Sequence, residues 1–262
     1  MDELKICAVV DWGLVPYARA CAWQKDLVGQ RRAGEIPNLL ILCQHPPVIT
    51  LGRSAQREHL RLPEGELARR GVEVQESDRG GDVTFHGPGQ LVGYPILDLS
   101  TLKKDVVWYL RALEEVLLRA TREFGLEAAR KTNSRGKRPF YTGVWVGEEK
   151  LAAIGVHISR WITSHGFAYN VSTELSYFDL IVPCGITDKR VTSLAKSLCS
   201  THGLLPAGPS GRSRSVEREA DLMAAVKAAV VKHFGEVFGR EMQPVEPETW
   251  EAWLGAHQAT AS

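Results

Sequence analysis

TGVWVGEEKLAAIGVHISRWITSHGFAYNV, residues 142–171, is the stretch from which the fold is read. Three apolar runs fit short strands there: Thr142 to Val146, Lys150 to Ser159, and His165 to Val171. Gly147-Glu148-Glu149 between the first two is a hairpin-type turn, which predicts antiparallel pairing. Outward from this stretch the pattern alternates between strands and helices. Residues 5–11 read as a strand. Pro16 opens a helix to about Arg32, with Tyr17, Ala20, Cys21, Trp23 and Leu27 on one face, and Gly34 ends it. Asn38 to Cys43 is all apolar, the mark of a strand buried on both faces. Val48 to Leu51, Val72 to Gln75 and Leu91 to Leu99 read as further strands, and Pro63 to Arg70 as a short helix.

The clearest helix runs from about Lys104 to Phe124, with Val106, Val107, Leu110, Leu113, Val116, Leu117 and Ala120 on its apolar face. Short helices fit Val191 to Leu198 and residues 247–254, and a longer one residues 216–238. Segregated strands and helices of this kind predict an α+β (mixed α/β) domain with a predominantly antiparallel sheet. The expected organisation is one domain over residues 1–240, with a flexible Gly/Pro/Ser-rich loop at about 200–215. Residues 241–262 are set apart as a C-terminal tail.

The chain has 262 residues, 32 basic and 31 acidic, for a net charge of +1. That balance gives no reason to expect nucleic acid or an anionic membrane as partner. No apolar run reaches the length of a membrane span. The N-terminus, MDELKICAVV, lacks a signal-peptide pattern, and the expectation is a cytoplasmic protein. Five cysteines without a Cys-x-x-Cys pair argue against a disulfide framework or a structural zinc site. Cys7, Cys21 and Cys43 read as buried small hydrophobes, and Cys199 is uninformative. Cys184 alone has turn residues on both sides, in Ile181-Val182-Pro183-Cys184-Gly185-Ile186. Pro183 and Gly185 would hold it on a turn at the end of a short strand, where a nucleophile is reachable on a rigid support. Taken alone, its default reading is a small hydrophobe at a loop corner.

Two other stretches carry potential chemistry. Residues 79–90, RGGDVTFHGPGQ, are dense in glycine, which lets backbone lie against a ligand. They match neither a phosphate loop nor a dinucleotide fingerprint. His86 is open to three roles: general base, hydrogen-bond anchor or surface histidine. Arg79 suits a phosphate or carboxylate, or is simply solvated. Lys150 opens a small-residue strand and by default marks a hairpin exit. If it projects toward Cys184, its ammonium would favour thiolate over thiol. His157, His165 and Asn170 lie on nearby strands. No spacing points to a metal, and Gly-x-Ser-x-Gly is absent.

Together the three stretches resemble the lipoyl(octanoyl) transferase family. Arg79 to Gln90 followed by Gly93-Tyr94-Pro95 resembles its substrate loop, and Lys150 with Ala153-Ile154-Gly155 its lysine strand. Pro183-Cys184-Gly185-Ile186 followed by Val191-Thr192-Ser193-Leu194 resembles its cysteine turn. The likeness covers roughly residues 5–198. It implies a fold similar to the biotin/lipoate ligase catalytic domain. The implied activity is transfer of an octanoyl group from octanoyl-acyl carrier protein to a lysine of lipoyl domains, those of 2-oxoacid dehydrogenase complexes and of the glycine cleavage H protein. By motif, Cys184 would be the nucleophile that carries the acyl thioester, and Lys150 its activating partner. The acyl pocket would be lined by Arg79, Gly80, Gly81, Asp82, Val83, Thr84, Phe85 and His86, by Ala153, Ile154 and Gly155, and by Gly166, Phe167 and Ala168. No cofactor or metal is implied, since a thioester donor is already activated. Arg135, Lys137 and Arg138 in the loop at 131–139 would form a docking patch for acidic partners. An ATP-dependent lipoate–protein ligase of the same fold is the nearest alternative, and a non-catalytic acyl- or carrier-binding module is a more distant one.

Overall fold

The computed structural model describes residues 5–131, 142–182, 190–202 and 212–255. The predicted hairpin forms. β7 (Gly143–Val146) pairs antiparallel with β8 (Glu149–Ser159), and β8 pairs antiparallel with β9 (Ile162–Asn170) over eight residues a side. These strands close one end of a seven-stranded sheet. It continues through β6 (Gln90–Ile96), β2 (Asn38–Gln44) and β1 (Ile6–Leu14) to β10 (Glu241–Pro244), in the order β10-β1-β2-β6-β9-β8-β7. Pairing is antiparallel from β2 to β7, while β1 runs parallel to both β2 and β10. β2 is buried along six of its seven residues, as its unbroken apolar run predicted.

A smaller sheet has the order β4-β3-β5, made from β3 (Val48–Leu51), β4 (Glu73–Glu76) and β5 (Val83–His86). β5 forms inside the stretch read as a glycine-rich loop. Its Val-Thr-Phe-His alternation satisfies the edge of β3 in antiparallel register.

Helices cover both faces of the large sheet. α3 (Val106–Glu123) and α5 (Arg212–Phe238) pack on one face around Leu113, Val116, Leu117, Val230 and Phe234, which are fully buried. The Asp105 carboxylate caps α3 by accepting the Trp108 N–H at 2.9 Å. Val106 and Val107, expected on the apolar face, are exposed, because they lie in the first turn, where the helix has not yet met the sheet. α1 (Tyr17–Ala33) covers the other face. Its buried side includes two glutamines that hydrophobic periodicity passes over. Gln24 accepts the His165 backbone N–H, and Gln30 donates to the Trp253 carbonyl. Cys7 and Cys43 are fully buried as predicted, whereas Cys21 is only half-buried.

The segment set apart as a tail joins the fold. β10 adds to the β1 edge, and α6 (Pro247–Gly255) brings Trp250 against Trp12 and Trp23. The small sheet packs on α2 (Glu64–Arg69) and on Tyr177 and Phe178 of a 3-10 turn. α4 (Leu194–His202) runs into the Gly/Pro/Ser-rich stretch and α5 starts at Arg212, so both described ends of the loop expected at about 200–215 are helical. Residues 203–211 of that stretch lie outside the described residues.

Candidate active site

A cavity of about 290 Å³ lies between the two sheets, on the α1 face of the large one. That is at the small end of the ~300–1,000 Å³ usual for small-molecule sites. Its floor is β6 (Val92, Tyr94), β8 and β9. From β8 come Lys150, Ala153, Ile154 and Gly155, and from β9 come Gly166, Phe167 and Ala168. Its cover is Arg79, Gly80, Gly81 and Asp82, continuing into Val83, Thr84 and His86. The structure thus brings all three sequence stretches for the pocket to one cavity.

Phe85 is the exception. Successive strand residues face opposite sides, so Thr84 and His86 turn toward the cavity and Phe85 turns away. Phe85 stacks on Tyr177 (centroids 4.7 Å, 3° between planes) in the core behind the small sheet. Cys184 lies outside the described residues, as do Arg135, Lys137 and Arg138 of the basic loop.

The cover lies directly on the floor. The Gly80 N–H donates to the Val156 carbonyl at 3.0 Å. This approach needs a glycine beneath it: a Cβ at Gly155 would sit 2.7 Å from the Gly80 carbonyl oxygen. Arg79 holds the cover in shape. Its buried guanidinium donates to the Thr50 carbonyl (2.7 Å), the Thr50 hydroxyl (2.9 and 3.1 Å), the Asp82 carbonyl (2.7 Å) and the Gly80 carbonyl (3.2 Å). These bonds turn the arginine fork largely to organising the loop backbone.

His86 is buried and stacks on Tyr17 (5.8 Å, 10°). Its Nδ1 lies 2.7 Å from Gln90 Oε1. Burial, with His45 and Arg79 nearby, holds its pKa well below the usual histidine value, so the ring is neutral at pH 7. Its burial excludes the surface-histidine reading. His165 also lines the cavity, in a left-handed conformation (φ 54°), with Nε2 2.7 Å from Asp78 Oδ1. Burial lowers its pKa against the opposing pull of Asp78. His157 reaches the same carboxylate at 3.3 Å and stands outside the cavity lining.

Lys150 enters β8 just after the hairpin turn. Its Nζ lies 5.0 Å from the centroid of the buried Trp145 ring, a cation–π contact. Its backbone N–H donates to the Arg190 carbonyl at 2.9 Å, and its carbonyl accepts the Thr192 N–H at 3.0 Å. Val191 thereby forms a parallel bridge with Lys150. On the other side of the undescribed residues, the Val182 N–H donates to the His59 carbonyl at 2.8 Å. Burial pushes the Cys7 thiol up to about 12, the Cys21 thiol to about 11 and the Cys43 thiol well above its usual range. These three are held as inert thiols.

Residues that sequence reasoning did not name for the pocket include Tyr17, Val92, Phe178 and Val191. Tyr17 read as part of an apolar helix face. Phe178 comes from a turn with no periodic signal. Among the described residues no group of three or more His, Cys, Asp or Glu is placed to hold a metal ion. No helix among them is long and apolar enough to cross a membrane. The arrangement offers a small, mostly apolar slot with an ammonium-bearing side chain at one end.

Residues 16–203 match the family model for the lipoyl protein ligase A/B catalytic domain. A protein of Solibacter usitatus named octanoyltransferase is 52% identical over 192 residues, 73% of this chain and 84% of its own length. One of Rubrobacter xylanophilus with the same name is 50% identical over 230 residues, covering 87% and 91%. One of Caldicellulosiruptor saccharolyticus is 43% identical over 250 residues, covering 95% and 94%. Among solved structures, lipoate-protein ligase A bound with ATP superposes with a TM-score of 0.68 at 14% identity, covering 95% of this chain and 92% of that one. The bipartite lipoate protein ligase of Thermoplasma acidophilum gives 0.61 at 15%, covering 95% and 89%. At these identities the two structures speak for the fold alone.

Proposed function

From its membership of the lipoyl protein ligase A/B catalytic-domain family, to which the chain belongs together with octanoyltransferases 41–52% identical to it, we propose that it transfers an octanoyl group to lipoyl domains. The donor is octanoyl-acyl carrier protein. The acceptors are the lysines of lipoyl domains in 2-oxoacid dehydrogenase complexes and of the glycine cleavage H protein. The reaction runs in the cytoplasm, where thiols stay reduced.

The chemistry takes two steps. The Cys184 thiolate attacks the thioester carbonyl carbon. The carrier's sulfur leaves and takes a proton from the Lys150 ammonium. The acceptor amine then attacks the new thioester, Lys150 takes up a proton from that amine, and Cys184 leaves as thiolate. Exchange of one thioester for another is nearly isoenergetic, and amide formation makes the second step downhill. The acyl chain lies in the slot under Arg79–His86 and over Ala153–Gly155 and Gly166–Ala168.

The observation that carries this reading is the pairing of Lys150 with the segment at 190–192. It ties the chain emerging from the cysteine turn to the backbone of the lysine itself. Val182, two residues before Cys184, is tied to His59. The reading requires that Cys184, which lies between these two anchors in sequence, meets Lys150. A nearby ammonium then lowers the thiol pKa from about 8.5.

The ligase reading shares the fold but leaves Cys184 without a task. Octanoyl-carrier protein and an apo lipoyl domain, mixed with the enzyme in the absence of ATP, separate the two. Octanoyl-domain formation is expected. A requirement for ATP and free octanoate would replace the transferase reading with the ligase one.

A further inference from the structure

The slot accounts for the acyl chain, yet a row of buried polar side chains, with His86, Gln90 and Asn170 in its lining, runs along it. Gln90 is 1% exposed and Asn170 4%. Gln90 Nε2 donates to the Phe85 carbonyl (3.1 Å) and to Asn170 Oδ1 (2.9 Å). Asn170 Nδ2 donates to the Thr192 carbonyl (3.0 Å). The Thr192 N–H in turn donates to the Lys150 carbonyl (3.0 Å).

Two backbone carbonyls fix the direction of the whole row, because a carbonyl only accepts. The Phe85 carbonyl orients the Gln90 amide, and the Thr192 carbonyl orients that of Asn170. Gln90 Oε1 therefore faces His86 Nδ1 at 2.7 Å and makes it a donor. His86 Nε2 then carries a lone pair toward the Thr50 hydroxyl at 3.4 Å, and that hydroxyl already accepts from Arg79. Every donor points the same way, from Arg79 in the cover to the backbone of Lys150 in the floor. Flipping one amide would set two donors or two acceptors face to face.

We propose that Gln90 and Asn170 are positioning residues for acyl transfer: through Thr192 they hold the segment at 190–192 against Lys150 and so set the lysine against Cys184. The assignment rests on the transferase reading for what is positioned, while the bonding pattern stands independently of it. Neither residue needs to meet the reacting atoms. Without the row, the 190–192 segment keeps its backbone bonds to Lys150 but loses the tie from Asn170 to the Thr192 carbonyl.

Asn170→Leu keeps the side chain's size, takes one partner from the Gln90 amide and removes the donor to the Thr192 carbonyl. In the full-length enzyme, octanoyl transfer should fall by about tenfold or more, the kinetic equivalent of one buried unpaired polar group. The pH profile of Cys184 alkylation by iodoacetamide should also move toward that of an ordinary thiol. A purely structural role would lower the folded fraction and leave the profile of folded protein where it was. A folded Asn170→Leu enzyme with wild-type transfer and a wild-type profile would overturn the proposal. A second measurement needs no variant: nitrogen-15 NMR of wild-type His86 should show the neutral Nδ1–H tautomer at neutral pH. The Nε2–H tautomer would overturn the direction of the row and the proposal with it. Failure of the transferase reading looks different, because the wild-type enzyme itself would then transfer no octanoyl group.

Discussion

Replacing Gly155 with alanine tests how the cover is seated on the sheet. The added Cβ would stand 2.7 Å from the Gly80 oxygen, and ordinary contact begins at 3.4 Å, so cover or strand must give by about 0.7 Å. The bond that joins them is the Gly80 N–H to the Val156 carbonyl at 3.0 Å. Stretched by that amount, it leaves the ~2.7–3.2 Å range of a protein hydrogen bond. Gly80 and Val156 are half-buried, so leaving these backbone groups badly paired costs at most about 1–3 kcal/mol. Alanine restricts the unfolded chain and returns about 0.4–1 kcal/mol. The net loss is therefore up to about 2.5 kcal/mol, or a Tm lower by up to roughly 10 °C in a domain of this size. The methyl group also narrows the cavity that Gly155 lines, so on the transferase reading the KM for the octanoyl donor should rise. Thermal unfolding by circular dichroism and steady-state transfer kinetics measure both. A Tm equal to or above wild type, with unchanged KM, would refute the account of how loop and strand meet.

Other perturbations probe the remaining elements. Arg79→Met removes the donors to the Thr50, Asp82 and Gly80 carbonyls. Because the cost of burying a guanidinium disappears at the same time, the expected loss is about 2–4 kcal/mol by urea unfolding. An unchanged midpoint would mean that Arg79 serves a ligand and not the loop. Burial holds His45 down to about 4 from 6.5. As pH falls from about 6.5 to 4 the unfolded chain takes up a proton that the folded chain refuses, so stability is full above 6.5 and drops by about 3 kcal/mol across that window. His86 shifts in the same direction and adds to the slope. His45→Leu loses the bonds to Val15 and Tyr94 and is less stable at pH 7, yet its stability should vary less with pH over the window. An equal slope would assign the acid sensitivity elsewhere. Lys150→Ala should slow alkylation of Cys184 at neutral pH, and an unchanged rate would count against their electrostatic coupling.

Much of the fold was legible because local signals and burial agreed. The hairpin at 142–159 had apolar strands on both sides of a Gly-Glu-Glu turn, and the unbroken run at 38–43 matched a strand covered on both faces. β10 was not legible: Glu241-Met242-Gln243-Pro244 carries no periodic signal and becomes a strand only because the edge of β1 is open to it. Gln24 and Gln30 were missed for a related reason. They sit on the buried side of α1 because distant backbone groups at His165 and Trp253 need partners. For the pocket, the motif order named most of the lining but could not tell which residues of a strand face it. Phe85 was assigned to the slot by its place in the motif, and strand alternation sends it behind the small sheet. The work of Arg79 was equally hidden, since a guanidinium spent on backbone and one awaiting an anion look the same in sequence.

The account stands or falls on whether Cys184 carries the acyl group. Incubation of the enzyme with octanoyl-carrier protein, without ATP or acceptor, followed by intact-mass analysis and peptide mapping, reads this directly. The predicted result is one added octanoyl group, on Cys184, released when an apo lipoyl domain is supplied. An unmodified Cys184 under conditions where octanoyl transfer proceeds would contradict it.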